Sequence, residues 1–139
     1  MDRVEQTVVV PIPPSTNGIW RVVRRRHRSS MVLSRNYRNW LTITTALMRQ
    51  QLHPAQYPCR VIITITGGKG WRVTRDLDNV IKPVVDALRY AHVLPDDSCQ
   101  YVVYVSAAYV ENARKSSPAE CIITIAQANQ TPNNARPAQ

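Results

Sequence analysis

Apolar positions recur with two different periods along this chain, and the change of period marks its elements. From Cys59 to Thr66 the alternation is cleanest: Val61, Ile63 and Ile65 point one way and Ile62, Thr64 and Thr66 the other, the signature of a half-buried strand. Thr7 to Ile12 reads as an earlier strand closed by Pro13-Pro14, followed by turn chemistry in Ser15-Thr16-Asn17-Gly18. Met31-Val32-Leu33 is apolar enough for a short strand. Between Arg35 and Leu52 the spacing shifts to that of a helix, with Tyr37, Trp40, Leu41, Thr44, Leu47 and Met48 on one face, Ser34 as its cap and His53-Pro54 as its stop. A second helix carries Ile81, Val84, Val85 and Leu88 and ends near Ala91-His92. Asp78 or Asn79 can cap it, and Pro83, which fits the first turn but costs a hydrogen bond deeper in, means either a start at or after Asn79 or a kinked helix. Gln100–Val110 and Cys121–Ala126 read as two further strands, with the spacing of a hairpin.

These elements predict a single α/β (α+β) domain over residues 1–127. It has a mixed sheet of four to five strands packed with two main helices. Arg21 to Ser30, rich in arginine, is expected to be a loop. Residues 128–139, rich in Asn, Pro, Gln and Ala, are expected to be a disordered tail. Phenylalanine is absent, so Val, Ile, Leu, Tyr and Trp must fill the core. No stretch approaches the roughly 20 apolar residues of a membrane span, and Met1 to Gln6 lack the pattern of a secretion signal. The three cysteines, Cys59, Cys99 and Cys121, form no CxxC pair and support neither a zinc site nor a disulfide framework. A reduced, cytoplasmic protein is the expectation.

Charge is distributed unevenly. The net charge is +9, and no acidic residue occurs between Glu5 and Asp76, a stretch that carries twelve arginines and lysines. Five of the nine acids then fall between Asp76 and Asp97. A basic body around one acidic focus suits phosphodiester chemistry: cations hold a nucleic-acid backbone and carboxylates hold a divalent metal. Asp76 and Asp78 project to the same side if the chain is extended there, Lys82 follows one helical turn later, and Asp96-Asp97 return after the helix. Carboxylates at close range repel unless a cation lies between them. Magnesium takes oxygen ligands and completes its shell with water and substrate phosphate. The same residues also fit ordinary helix capping and an ordinary turn. Lys82 either meets the transition state or phosphate, or pairs with an aspartate. Arg24, Arg25, Arg26 and Arg28 are candidate phosphate contacts, as are Lys69, Arg72 and Arg75 near the aspartates, although Arg75 has Asp76 and Asp78 as alternative partners. Trp71 is either core or a platform for an unpaired base. Asp86 reads as structural or supporting, and His27, His53 and His92 form no cluster.

The run Arg75-Asp76-x-Asp78-Asn79-x-x-Lys82-x-x-x-Asp86-Ala87-Leu88, with Asp96-Asp97 about eight residues on, resembles the RusA family of Holliday-junction resolvases. Pro13-Pro14-Ser15-Thr16-Asn17 with Trp20-Arg21 is similar to that family's opening segment, so the likeness spans roughly residues 7 to 126. The resemblance implies Asp76, Asp78 and Asp97 as catalytic, metal-binding carboxylates, with Asp96 as a possible additional ligand and Lys82 as the essential lysine. It implies magnesium (or manganese) and no small-molecule cofactor. It also implies a homodimer acting on branched DNA, a four-way junction above all, in bacteria or their phages. Pro83 and Pro95 depart from the family's pattern and bear on the reach of Lys82 and Asp97. The rival expectations are a junction- or duplex-binding protein without cleavage and a less selective flap or branched-DNA nuclease.

Overall fold

Strand β4 (Cys59–Thr66) is the axis of the structure, a computed structural model that describes residues 5–15, 20–25, 28–112, 114 and 116–128. The order of elements is β1 (Glu5–Val10), β2 (Trp20–Arg25), β3 (Arg28–Leu33), α1 (Arg35–Gln51), β4, a 3₁₀ turn (Leu77–Val80), α2 (Ile81–Tyr90), β5 (Val102–Val110) and β6 (Glu120–Gln127). Four strands form one sheet in the order β1-β6-β4-β5, with β4 parallel to β5 and antiparallel to β6, and β6 antiparallel to β1. The mixed sheet flanked by two helices is the α+β architecture expected from the apolar periods.

The alternation along β4 is realised as read. Cys59, Val61, Ile63 and Ile65 are fully buried on one face, and the intervening residues are partly exposed on the other. Cys121, Ile123 and Ile125 of β6 and Val8 and Val10 of β1 extend the buried face. Both helices pack on this side, Val84 and Leu88 of α2 and Trp40 and Met48 of α1 entering the same core. Burying a Leu, Ile or Val completely is worth roughly 1.5–3 kcal/mol each. α1 packs on this face through one apolar stripe, whereas α2 is buried over the consecutive residues Pro83 to Leu88.

Ser34 caps α1 as predicted: its hydroxyl accepts from the Tyr37 N–H at 3.3 Å. The Trp40 indole N–H donates to the Pro11 carbonyl at 2.8 Å, fastening the helix to the end of β1. Tyr37 is buried beside it, and burial together with the charge of Asp86 pushes its phenol up to about 12.

Two expectations are corrected. The arginine-rich segment is not a loop: Trp20–Arg25 and Arg28–Leu33 pair antiparallel as a separate two-stranded ribbon. The run of arginines breaks the apolar alternation by which a strand is read from sequence. Strands β5 and β6 are not a hairpin with each other. The β4-α2-β5 crossover sets β5 along one edge of β4, which leaves the other edge to β6. Thr16, Asn17 and the tail from residue 129 lie outside the described residues. No helix among the described residues is long and apolar enough to cross a membrane.

Candidate active site

The segment that leaves β4 carries the first two aspartates, and it is anchored before it reaches them. Gly67 N–H donates to the Val110 carbonyl at 2.8 Å, extending the strand pairing by one residue. A side chain at Gly67 would collide with the Tyr109 phenol, so only glycine allows that approach. Lys69 then bridges to the segment before β6: its N–H donates to the Ser117 carbonyl at 2.9 Å, and its carbonyl accepts from the Ala119 N–H at 2.9 Å. Gly70 turns the chain at φ 99°, in the left-handed region. Trp71 folds back and is buried, its ring 6.3 Å from that of Tyr109 at an interplanar angle of 24°. The Arg75 guanidinium lies 4.9 Å from the centre of the Trp71 ring on the way to Asp76.

Arg75 is therefore turned toward the Trp71 ring and partly buried. Its Nε and Nη2 are buried with no hydrogen-bond partner, and burial lowers its pKa, with the Cys121 thiol as a weaker opposing influence. Among the described residues it makes no ion pair with Asp76 or Asp78. Trp71 takes the core alternative and braces the loop. Lys69 and Arg72 are exposed, as is Arg24 on β2. Arg26 lies outside the described residues, as do the side chains of Arg25 and Arg28.

Asp76 is extended (φ −73°, ψ 136°) and exposed, but the condition of extended chain is not met at Asp78, which lies in the 3₁₀ turn, also exposed. The reason is local. Leu77, Val80, Ile81 and Val84 are spaced for a helical face, and Val80 is fully buried, so the chain coils immediately after Asp76 and leaves the carboxylates outside. No side chain caps the turn. The α-helix begins at Ile81, and Pro83 falls in its first turn, where its missing N–H costs nothing.

Lys82 faces Asp86 one turn on, Nζ 3.4 Å from Oδ2, while Arg89 approaches the other oxygen at 3.6 Å. Asp86 is only 9% exposed, whereas the Lys82 side chain is 69% exposed and so remains open to a phosphate. Asp86 is thus the supporting carboxylate of this helix face, a role the i,i+4 spacing from Lys82 signals.

Asp97 stands at the other end of α2. There His92 adopts φ 61°, and the N–H groups of Val93 and Leu94 both reach the Leu88 carbonyl, at 3.0 and 3.2 Å. The chain buries Val93 and Leu94, exits through Pro95 and exposes Asp97 just before the turn that launches β5. That turn is closed by Tyr101 and Val102 N–H on the Ser98 carbonyl. Asp96 is partly buried. Ten residues of helix, about 15 Å at 1.5 Å per residue, lie between the two aspartate-bearing segments. Among the described residues no group of three or more His, Cys, Asp and Glu side chains is gathered as a metal site. Asp76 and Asp78 are neighbours in sequence at the entry to α2, and Asp97 is carried on the segment that follows α2.

An open groove of about 620 Å³ lies beside this region, lined by Val10, Ile12, Lys69, Gly70 and Pro118 among others. It holds none of the aspartates and is mostly apolar. The carboxylates instead sit on open surface, where a polymer backbone can reach them.

A family model described as Endodeoxyribonuclease RusA matches residues 11–125 of the chain. No curated protein matches it.

Proposed function

This chain belongs to the RusA family of endodeoxyribonucleases, enzymes that resolve Holliday junctions and depend on metal, and from that premise we propose that it resolves four-way DNA junctions with magnesium at Asp76 and Asp78. The observation that carries the reading is the placement of these two exposed carboxylates two residues apart, on a loop braced by the Tyr109–Trp71–Arg75 stack, with Lys82 on the following turn. Their chemistry fits the ion. Hard carboxylate oxygens suit magnesium, which is commonly bound through one or two carboxylates, with water and substrate phosphate supplying the rest. Such an ion, when bound, polarises the phosphoryl oxygen and lowers the pKa of an attacking water. Manganese satisfies the same donors.

The chain's own residues do the remaining work. Asp86 holds the Lys82 ammonium on the outer side of α2, from which it neutralises charge on the reacting phosphate. Lys69 and Arg72 hold the flanking phosphates, and the β2–β3 ribbon, with Arg24 to Arg28, holds a duplex arm. Arg75 serves the loop instead. Asp97, with Asp96 as a possible additional ligand, is the third carboxylate position. Two matching cuts in strands related by a two-fold axis call for two sites related in the same way, so the acting unit is a homodimer.

Synthetic four-way junctions with magnesium test the reading. Asp78→Asn is expected to abolish cleavage while sparing binding, since it weakens metal binding without adding repulsion toward phosphate. Cleavage by Asp78→Asn at the unsubstituted rate would sink the assignment. One observation favours a second reading, a junction-binding protein without cleavage: among the described residues no three acidic or other metal-ligating side chains are gathered. Tight binding by folded protein with no product in magnesium or manganese would select it. Equal cutting of forks and flaps would select the less selective nuclease.

A further inference from the structure

One large apolar side chain stands apart from the rest of the surface. Val73 is 80% exposed, more than any other large apolar residue among the described residues; Val22 follows at 63%. It lies in the loop that carries the first two aspartates, three residues before Asp76. Its neighbours Arg72, Thr74 and Asp76 are exposed as well. The Arg75 N–H donates to the Arg72 carbonyl at 2.9 Å, which closes a tight turn and puts Val73 and Thr74 at its two central positions.

Folding does not call for valine there. Turn centres favour proline, glycine, asparagine, aspartate and serine, each for a backbone or hydrogen-bonding reason that valine lacks. Two consecutive β-branched residues suit a strand rather than a turn tip. The turn is nevertheless held firmly at its base. The residues on either side of it meet each other, the Arg75 guanidinium 4.9 Å from the centre of the Trp71 ring, and that ring lies 6.3 Å from Tyr109. The Trp71 N–H donates to the Gly68 carbonyl at 3.2 Å. An apolar tip on a braced base has its working shape before contact, so it loses little freedom on binding. The β-branch restricts χ1 of Val73 further.

We propose that Val73 is an apolar wedge that enters the branch point of the DNA, between the ends of two arms, and so distinguishes a junction from a duplex. The proposal rests on the junction reading above and names the residue that senses the branch. Three residues span at most about 11 Å, so Val73 stays within about three base-pair steps of Asp76. Proteins that kink DNA insert apolar side chains between base steps, against the cost of unstacking them. That cost is least where pairing is already disturbed, and at a branch point the stack is interrupted before any protein arrives. A short isopropyl group fills the gap there, while the closed stack of an intact duplex excludes it. Arg72, exposed beside it, offers a cation to the flanking phosphate, which fixes position without reading the branch. A lone valine among charged and polar neighbours is too small for a protein interface, which buries about 800 Å² on each side.

A four-way junction with 2-aminopurine at the branch point tests the wedge, with binding read in calcium and cutting in magnesium. The unsubstituted chain is expected to brighten the probe at saturation and to leave it dark in a continuous duplex. Val73→Ser should bind duplex as before, bind the junction about tenfold more weakly and lose the brightening, because the apolar contact of two methyl groups is gone. Val73→Leu should restore both. The melting temperature of Val73→Ser should move by no more than about 2 °C, since the side chain is exposed. If Val73→Ser does not fold, Val73→Thr, which keeps the β-branch, carries the same test. A probe that the unsubstituted chain leaves dark overturns the proposal, as does a folded Val73→Ser that brightens it fully. Equal losses on junction and duplex also overturn it and assign Val73 to general DNA binding. A chain that brightens the probe through Val73 but never cuts removes the nuclease reading alone. A chain that cuts equally well with and without Val73→Ser, and without brightening, removes this proposal alone.

Discussion

Replacing Arg75 with methionine separates two roles that a basic residue beside a metal site can have. In the structure Nε and Nη2 of Arg75 are buried without a partner. A buried donor without a hydrogen bond costs about 1–3 kcal/mol, and a charged one more. Against that stands the guanidinium's contact with Trp71, 4.9 Å from the ring centre, worth about 0.5–2 kcal/mol. Methionine keeps an apolar stem over the indole, and its sulfur recovers about 0.3–1.5 kcal/mol from the ring. The balance favours Arg75→Met by about 1–2 kcal/mol, after allowance for the part of the guanidinium that water still reaches. For a domain of this size that is a rise in melting temperature of roughly 3–8 °C. Thermal and urea unfolding read the stability, and the salt dependence of junction binding reads the contact. A phosphate ligand contributes about one to the slope of log K against log salt, so Arg75→Met should leave that slope unchanged. A loss of stability beyond about 1 kcal/mol, or a slope lower by about one, would mean that Arg75 has a partner the stack does not supply.

The other predictions follow from exposed and buried groups in the same way. Arg72→Gln, at an exposed position, should leave the melting temperature within about 2 °C but lower the salt slope of binding by about one, measured by fluorescence anisotropy; an unchanged slope would remove Arg72 from the phosphate grip. Leu88→Ala, fully buried on α2, should cost about 2–5 kcal/mol in urea unfolding, and a cost below about 1 kcal/mol would contradict its place in the core. Stability should be level to about pH 8.5 and fall above it. Burial holds the Cys121 thiol up at about 12 against an ordinary 9.0, so the unfolded chain releases this proton first and each pH unit above about 9 costs up to about 1.4 kcal/mol. Tyr37, raised from 10.0 to about 12, adds the same sign above about pH 10. Cys121→Val should flatten part of the fall between pH 9 and 10, and a melting temperature constant to pH 11 would refute the account.

The elements legible in the sequence were those whose pattern is satisfied by one neighbour. Strand β4 alternates because one face meets the helices, and α1 shows its stripe because only that stripe is buried. Ser34 announced the cap because the bond is local. The ribbon was hidden because arginines at its turn end carry no burial pattern, although Val22-Val23 and Met31-Val32-Leu33 flank them with strand formers. The pairing of β6 was hidden for another reason. Cys121, Ile123 and Ile125 reveal a buried strand face, but not that its neighbours are β1 and β4, more than 50 residues away, rather than β5, which precedes it in the chain. Long-range partner choice leaves no local mark.

The site shows the same boundary at closer range. Asp76 and Asp78 could be singled out because their neighbourhood is local: the charge-free-of-acid stretch before them and the helical spacing after them are both written in the chain. What spacing alone did not show is that Val80 must be buried, and this requirement coils Asp78 out of the extended geometry. Nor did it show that Trp71 is needed as a wedge between Tyr109 and Arg75, which turns a basic residue inward. Asp97 lies beyond both arguments. It is carried on the segment that follows the ten residues of α2 and the turn at His92, so its approach to the first pair depends on how that segment folds back, which no local spacing records. Buried side chains fix the frame of α2, and the exposed acids at its two ends are free only to the extent that their own loops allow.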